Sequence, residues 1–130
     1  MQYRVGGMLV VAGLLLAAPA RAHHSLQAQF DTNKPIDLNG TLTKIEWINP
    51  HSYLWLEVKD QAGNAKTWGL ELAGQAALRK AGANKVLKVG QTYTAHAFMA
   101  RDGSAMAFLK SISLPDGQTV TFWFGDPNAR

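Results

Sequence analysis

The chain alternates hydrophobic and polar residues in short runs separated by turn residues, a pattern typical of β-strands. In residues 53–59, for example, Leu54, Leu56 and Val58 share one side, and we expect that side to face a core. Runs of this kind predict strands at 41–48, 53–59, 66–72, 91–100, 105–114 and 119–124. The protein is therefore expected to be mainly β.

The hydrophobic period changes once, at residues 74–81. Ala77, Leu78 and Ala81 have the spacing of one face of a short helix, and Gly82 can end it. An OB-like fold has this order of elements, with three strands followed by a helix and then further strands. We therefore predict a small five- to six-stranded OB-like Greek-key barrel with one short helix between strands three and four. A small β-sandwich is the alternative.

The same alternation predicts which side chains form the core. In the first strand it places several residues on one side, namely Thr41, Thr43, Ile45 and Trp47. Across the other strands the expected buried residues are Leu54, Leu56, Val58, Leu70 and either Phe108 or Leu109.

Residues 1–22 have the three parts of a cleavable signal peptide. Arg4 supplies a positive charge, residues 8–18 are apolar, and small residues precede the junction after Ala22. The apolar run is shorter than the roughly 20 residues of a permanent anchor. We expect a mature chain that begins at His23, is periplasmic or secreted, and has no stable membrane anchor. It would be one domain, 23–130, opening with an irregular segment at 23–36.

Composition narrows the range of functions. The formal net charge of +4 falls to +2 without the signal's Arg4 and Arg21, and no run of basic residues is present, so a nucleic-acid partner is not expected. The chain has no Cys, and no Ser lies in a Gly-x-Ser-x-Gly motif. The acidic residues show no paired spacing. These features favour a protein that is not an enzyme.

Histidines are the main candidates for chemistry. Signal cleavage would free the α-amine of His23, whose pKa near 7.7 to 8 allows it to act as a neutral ligand. Amine and imidazole can chelate one ion, and a second imidazole gives a planar set of three nitrogens that favours copper(II). His51 is the candidate for that imidazole, with His24 as the rival. Alternatively, His23 and His24 are only a polar chain start and His51 caps a turn. His96, within a strand, is expected to be structural.

Aromatic residues concentrate on the first three predicted strands. An OB-fold binds ligands on the face of strands two and three, so Tyr53, Trp55 and Trp68 are candidate ligand-binding residues. Packing in the core or at an edge explains the same residues without a ligand.

Several segments resemble a known family. They are Ala22-His23-His24-Ser25, Phe30-Asp31, Lys34-Pro35, the stretch from Gly40 through Trp47-Ile48-Asn49-Pro50-His51, and Leu114-Pro115-Asp116-Gly117. Together they are similar to a family of small secreted bacterial proteins classed as a domain of unknown function, DUF6152. The resemblance covers nearly all of the mature chain and implies export and a shared small β-fold. It implies no established activity.

The sequence thus predicts an exported, non-catalytic periplasmic binding protein that holds copper through His23 and His51. The alternative is a metal-free module that binds a small ligand or a periplasmic partner protein on its aromatic face.

Overall fold

The computed structural model describes residues 26–123. The predicted signal peptide and the candidate ligands His23 and His24 lie outside this range. Three short helices and six strands follow one another along the chain: α1 Leu26–Gln29, β1 Phe30–Glu46, β2 His51–Lys59, β3 Ala65–Ala73, α2 Gln75–Lys80, α3 Ala83–Val86, β4 Thr92–Ala100, β5 Met106–Ser113 and β6 Thr119–Thr121. Among these residues, no helix is long and apolar enough to cross a membrane.

The six strands form one sheet in the order β3-β2-β1-β4-β5-β6, with antiparallel neighbours. A further, parallel pairing joins β3 to β5, from Gly69 opposite Met106 to Glu71 opposite Phe108. This pairing closes strands β1 to β5 into a ring, and β6 pairs with β5 outside it. The predicted mainly β, barrel-like fold is confirmed, and the predicted helical interruption after the third strand consists of two short helices, α2 and α3.

The inside of the ring holds the hydrophobic core. Leu54, Leu56, Leu70 and Leu109 are fully buried there, as predicted, whereas Val58 is only partly buried. Phe108 is also partly buried, because it shares its side of the sheet with Glu71 on the outside of the ring.

A β-bulge in β1 changes the predicted alternation. Leu42 pairs with Leu56 and Lys44 pairs with Trp55, so Thr43 is an extra residue between two successive pairs. Its hydroxyl donates a hydrogen bond to the carbonyl oxygen of Trp55 at 3.0 Å. Residues before and after the bulge therefore alternate out of phase. Leu42 is buried while Thr43 is exposed, and beyond the bulge Ile45 packs against the core.

The start of the domain also differs from the expectation of an irregular segment at 23–36. Its described part contains α1 and the first residues of β1, which pair with the end of β4. A register shift between Phe30 and Pro35 accommodates the proline, which has no N–H for the ladder. The sequence alone does not reveal this pairing, because the partner strand is more than sixty residues away.

Candidate metal-binding site

His51, the first residue of β2, lies against an acidic side chain of the neighbouring strand. Its Nδ1 forms a hydrogen bond with Oε1 of Glu71. An ionised carboxylate can only accept, so Nδ1 is the donor, and in the neutral imidazole Nε2 then has a free lone pair. In the part of the chain that the structure describes, Nε2 has no hydrogen-bond partner. The imidazole is therefore held at one nitrogen and available at the other.

The two partners differ in exposure. The side chain of His51 is 51% exposed, whereas that of Glu71 is 9% exposed. Glu71 points outward from β3 but lies between β2 and β5, with Tyr53 and Phe108 opposite it. A carboxylate that is shielded from water interacts more strongly with its hydrogen-bond partners.

The second oxygen of Glu71 contacts Tyr53. The Tyr53 hydroxyl donates to Oε2 at 3.4 Å. Burial raises the pKa of the Tyr53 phenol, and the negative charge of Glu71 and its hydrogen bond raise it further. Glu71 thus holds an imidazole with one oxygen and a protonated phenol with the other.

The loop before β2 is fixed by contacts with the start of α2. The backbone N–H of Gln75 donates to Oδ1 of Asn49 at 3.1 Å, and the Gln75 side chain donates to the carbonyl of Trp47. A Cβ atom at Gly74 would lie 2.6 Å from Oδ1 of Asn49 and 2.9 Å from the carbonyl oxygen of Pro50. Only glycine therefore permits this close approach, which fixes the position of His51.

Two of the three predicted ligand-binding aromatics lie together on the outer face of the sheet. The rings of Tyr53 and Trp55 stack with their centroids 6.3 Å apart, and the Trp55 indole donates to Oε2 of Glu46 at 2.9 Å. Trp68 lies on the opposite side, because it pairs with Leu56 and both point inward. It is buried in the core, with the Lys66 ammonium over its ring. The structure does not bring Trp68 to the outer face.

Glu71 also forms part of the wall of a cleft of about 370 Å³. Ala28 and Gln29 of α1 also line it, together with Arg101 and Met106. Residues of α1 and the carboxylate that holds His51 therefore line the same cleft.

His96 has a different environment from His51. Its Nδ1 is 2.7 Å from Oδ1 of Asp37, which is opposite it on β1, and its Nε2 is 2.9 Å from the Ser113 hydroxyl. Both ring nitrogens are therefore occupied. Within residues 26–123, no three or more His, Cys, Asp or Glu side chains form a group that could hold a metal ion.

Two residues of this region were missed by the sequence prediction. Glu71 had a visible signal, because it is the single charged residue in the apolar run from Trp68 to Ala73. Arg101 had none, since an arginine in a predicted turn is ordinary.

The comparisons with known proteins give a family and no activity. The model of a family of unknown function, DUF6152, matches residues 11–109. No curated protein matches the chain. The match spans most of the chain, including His51, Glu71 and Arg101, and the chain therefore belongs to this family of unknown function.

Proposed function

We propose that the protein is an exported, non-catalytic binding protein for copper(II). The ligands would be the α-amine and imidazole of His23 together with Nε2 of His51, with His24 as the alternative second imidazole. Three nitrogen donors in a planar arrangement suit copper(II). The observation that carries the proposal is the hydrogen bond between Nδ1 of His51 and the shielded carboxylate of Glu71.

That hydrogen bond is the arrangement found behind many metal-binding histidines. A carboxylate on one ring nitrogen fixes the tautomer and the ring orientation, and makes the other nitrogen a better donor. His51 meets each requirement, since its Nε2 is free and half of its side chain is exposed. The negative charge of Glu71 would also favour a divalent cation nearby.

The stretch of chain between His23 and the described structure is short. Two residues, His24 and Ser25, lie between His23 and Leu26, so the Cα atoms of His23 and Leu26 are at most about 11 Å apart. The helix that Leu26 begins lines the same cleft as Glu71. This shared cleft supports the proposal that His23 and His51 bind one ion.

A titration tests the proposal. The mature chain should be produced with His23 as its first residue and titrated with copper(II) by calorimetry and electron paramagnetic resonance. We expect one ion per chain with a nitrogen-rich signal. A matched chain with one extra glycine before His23 moves the amine away, and we expect it to bind copper much more weakly. Equal binding by both chains would contradict the role of the amine.

The metal-free alternative is supported by the stacked pair of Tyr53 and Trp55. Stacked, partly exposed rings can bind a planar or sugar-like ligand. Trp68 no longer supports this reading, because it is buried. Titration of the metal-free protein with soluble oligosaccharides, followed by tryptophan fluorescence, distinguishes the two. Saturable quenching that is lost in Trp55→Ala and kept in His51→Ala would favour the alternative.

Export is part of the proposal and has its own test. Amino-terminal sequencing of the protein recovered from outside the cytoplasm should begin at His23. Ala22→Asp should block processing, because the peptidase requires a small residue before the cut. Normal release of the mature chain from that variant would show that the junction lies elsewhere.

A further inference from the structure

His96 lies between a carboxylate and a hydroxyl group on the outside of the ring of strands. Its Nδ1 is 2.7 Å from Oδ1 of Asp37 on β1, and its Nε2 is 2.9 Å from Oγ of Ser113 on β5. An ionised carboxylate can only accept a hydrogen bond, so Nδ1 is the donor, and in the neutral imidazole Nε2 accepts the hydrogen of the Ser113 hydroxyl. The three side chains thus form one chain of hydrogen bonds that directs the serine proton towards the histidine.

This arrangement is the one that activates a serine for attack on an acyl group. The imidazole removes the hydroxyl proton as the oxygen attacks, and the carboxylate holds the imidazole in the required tautomer and stabilises its charged form. Such a triad is recognised by its geometry, since the same three side chains occur in different orders on unrelated folds. The lack of a Gly-x-Ser-x-Gly motif in the sequence therefore does not exclude Ser113 as a nucleophile.

Strand pairing places the three residues together. Asp37 is opposite His96 in the pairing of β1 with β4, and Thr94 is opposite Ser113 in the pairing of β4 with β5. Thr94 and His96 are two residues apart on β4, so Ser113 is the diagonal neighbour of His96 on the same face. Because all three residues belong to paired strands, the sheet holds their geometry.

Ser113 opens onto a cleft of about 420 Å³. The side chain of Ser113 is partly buried, and the described residues that line the cleft with it are uncharged, among them Asn39, Leu114 and Pro115. The volume is that of a small-molecule site. A lining of this kind favours a small, uncharged substrate.

Thr94 offers a hydrogen-bond donor beside the serine. It lies opposite Ser113 and lines the same cleft. Nδ2 of Asn39 donates to Oγ1 of Thr94 at 2.9 Å, so this contact does not use the hydrogen of the Thr94 hydroxyl. A hydroxyl donor near an attacked carbonyl stabilises the negative oxygen that forms. Thr94 is therefore the residue placed to stabilise that oxygen.

We infer that Ser113 and His96 form a second site, which hydrolyses small uncharged esters, with Asp37 as the positioning residue of His96. Oγ of Ser113 attacks the acyl carbon, and its proton passes to Nε2 of His96. The bond between the acyl carbon and the alcohol oxygen breaks, and His96 returns the proton to the departing alcohol. Water then gives a proton to His96 and its oxygen to the acyl carbon, and Ser113 leaves with that proton as the acid is released.

The inference goes beyond the proposed copper site and does not depend on it. The test therefore uses the mature chain freed of metal by a chelator, with p-nitrophenyl acetate as the substrate. We expect saturable hydrolysis, and an acetyl group on Ser113 in the acid-quenched protein by mass spectrometry. Acetyl groups found only on histidine or lysine side chains would overturn the inference and leave the copper proposal intact.

Variants of the two catalytic residues measure their contributions. Ser113→Ala and His96→Ala should each lower kcat/KM at least tenfold, a smaller loss than is usual for general-base catalysis because water screens the exposed pair of His96 and Asp37. Ser111→Ala is the matched control, since Ser111 is opposite His96 on β5 while both ring nitrogens of His96 are bonded to other residues. It should keep the wild-type rate. A Ser113→Ala protein with the wild-type rate would overturn the inference.

Asp37→Asn tests the positioning role separately. Asp37 would not touch the substrate, so this variant should lower kcat several-fold with little change in KM, because an amide no longer fixes the tautomer of His96. A fluorophosphonate that reacts with activated serines should label Ser113 more slowly in Asp37→Asn than in wild type. Thermal unfolding of each variant shows whether the fold is retained. Wild-type kcat and labelling in a folded Asp37→Asn protein would contradict the role of Asp37.

Discussion

Residues 26–123 contain two histidine–carboxylate pairs on the outside of the same ring of strands, and the pairs differ in which side chain is exposed and in whether a ring nitrogen is free. In the pair of His51 and Glu71, the carboxylate is 9% exposed and the imidazole 51% exposed. In the pair of His96 and Asp37 the order is reversed, with the carboxylate 70% exposed and the imidazole 34% exposed. In the first pair the carboxylate is shielded from solvent and the imidazole is exposed. In the second pair the carboxylate is the more exposed of the two side chains.

The two pairs also differ in whether the second ring nitrogen of the histidine is free to bind an ion. Nε2 of His96 is engaged with Ser113, so a metal ion would have to break that hydrogen bond. The His96 pair belongs to a polar ladder between β1 and β4, in which Asn39 also donates to Thr94 at 2.9 Å. Such cross-strand pairs stabilise a sheet modestly. A carboxylate partner alone therefore does not distinguish a metal ligand, and the proposed ligand His51 differs from His96 in having a shielded carboxylate and a free opposite nitrogen. His96 and Asp37 supply matched controls for His51 and Glu71.

The largest expected difference concerns the two imidazoles. His51→Ala should reduce copper(II) affinity by more than about a hundredfold, because it removes a ligand, while His96→Ala should leave it unchanged. At a hundredfold excess of free copper over the dissociation constant, binding to the folded state adds about 2.7 kcal/mol of stability. Thermal unfolding with and without copper should show that gain in wild type and His96→Ala, and its absence in His51→Ala. The opposite ranking would move the site to His96.

The second largest difference in copper affinity is expected between substitutions of the two carboxylates. Glu71→Gln keeps the shape of the side chain but removes the charge behind His51, and we expect a loss of copper affinity of about ten- to a hundredfold. Asp37→Asn should cause no change, since its partner has no free nitrogen. Competition with a chelator of known affinity measures both. Equal effects of the two substitutions would indicate a nonspecific electrostatic contribution.

A smaller effect is expected at Tyr53. Burial is the main cause of its raised pKa and would remain in Glu71→Gln, but the contribution of the Glu71 charge would be lost, so the pKa should fall part of the way to its ordinary value. Because the folded-state pKa is the higher one, this phenol contributes stability below about pH 10 that is lost as pH rises through the folded pKa. NMR titration of ¹³C-labelled tyrosine rings measures the shift. Asp37 is not among the groups that shift the pKa of Tyr53, so Asp37→Asn should leave that pKa unchanged.

The smallest effect is expected for the stability of the metal-free protein in His96→Ala. The exposed pair and its hydrogen bond to Ser113 should contribute about 0.2 to 1 kcal/mol to the free energy of unfolding. Urea denaturation with a constant m-value measures this loss. A cost several times larger would mean that the ladder between β1 and β4 supports the core and not only the surface.

The sequence predicted the parts of this comparison that depend on local pattern. The strands from β2 to β5 follow from alternation, whereas the register that places Tyr53 opposite Glu71 is seen only in the structure. The bulge at Thr43 was not predictable, because nothing in a run of alternating residues marks the one that will be left unpaired. Contacts of Arg101 with α1 were equally hidden, since they join residues more than seventy positions apart. His51 was recognised as a candidate from its place in the chain, but its partner required the fold.

The parallel pairing of β3 with β5 also sets when the protein can fold as it is synthesised. Gly69 can pair with Met106, and β1 with β4, only after the later partner has been synthesised. Until then the ring cannot close over Leu54 and Leu70. Pairings between distant segments form slowly, because the loop-closure entropy is lost before the contacts are gained. Most of the chain will thus have left the ribosome before a stable core exists.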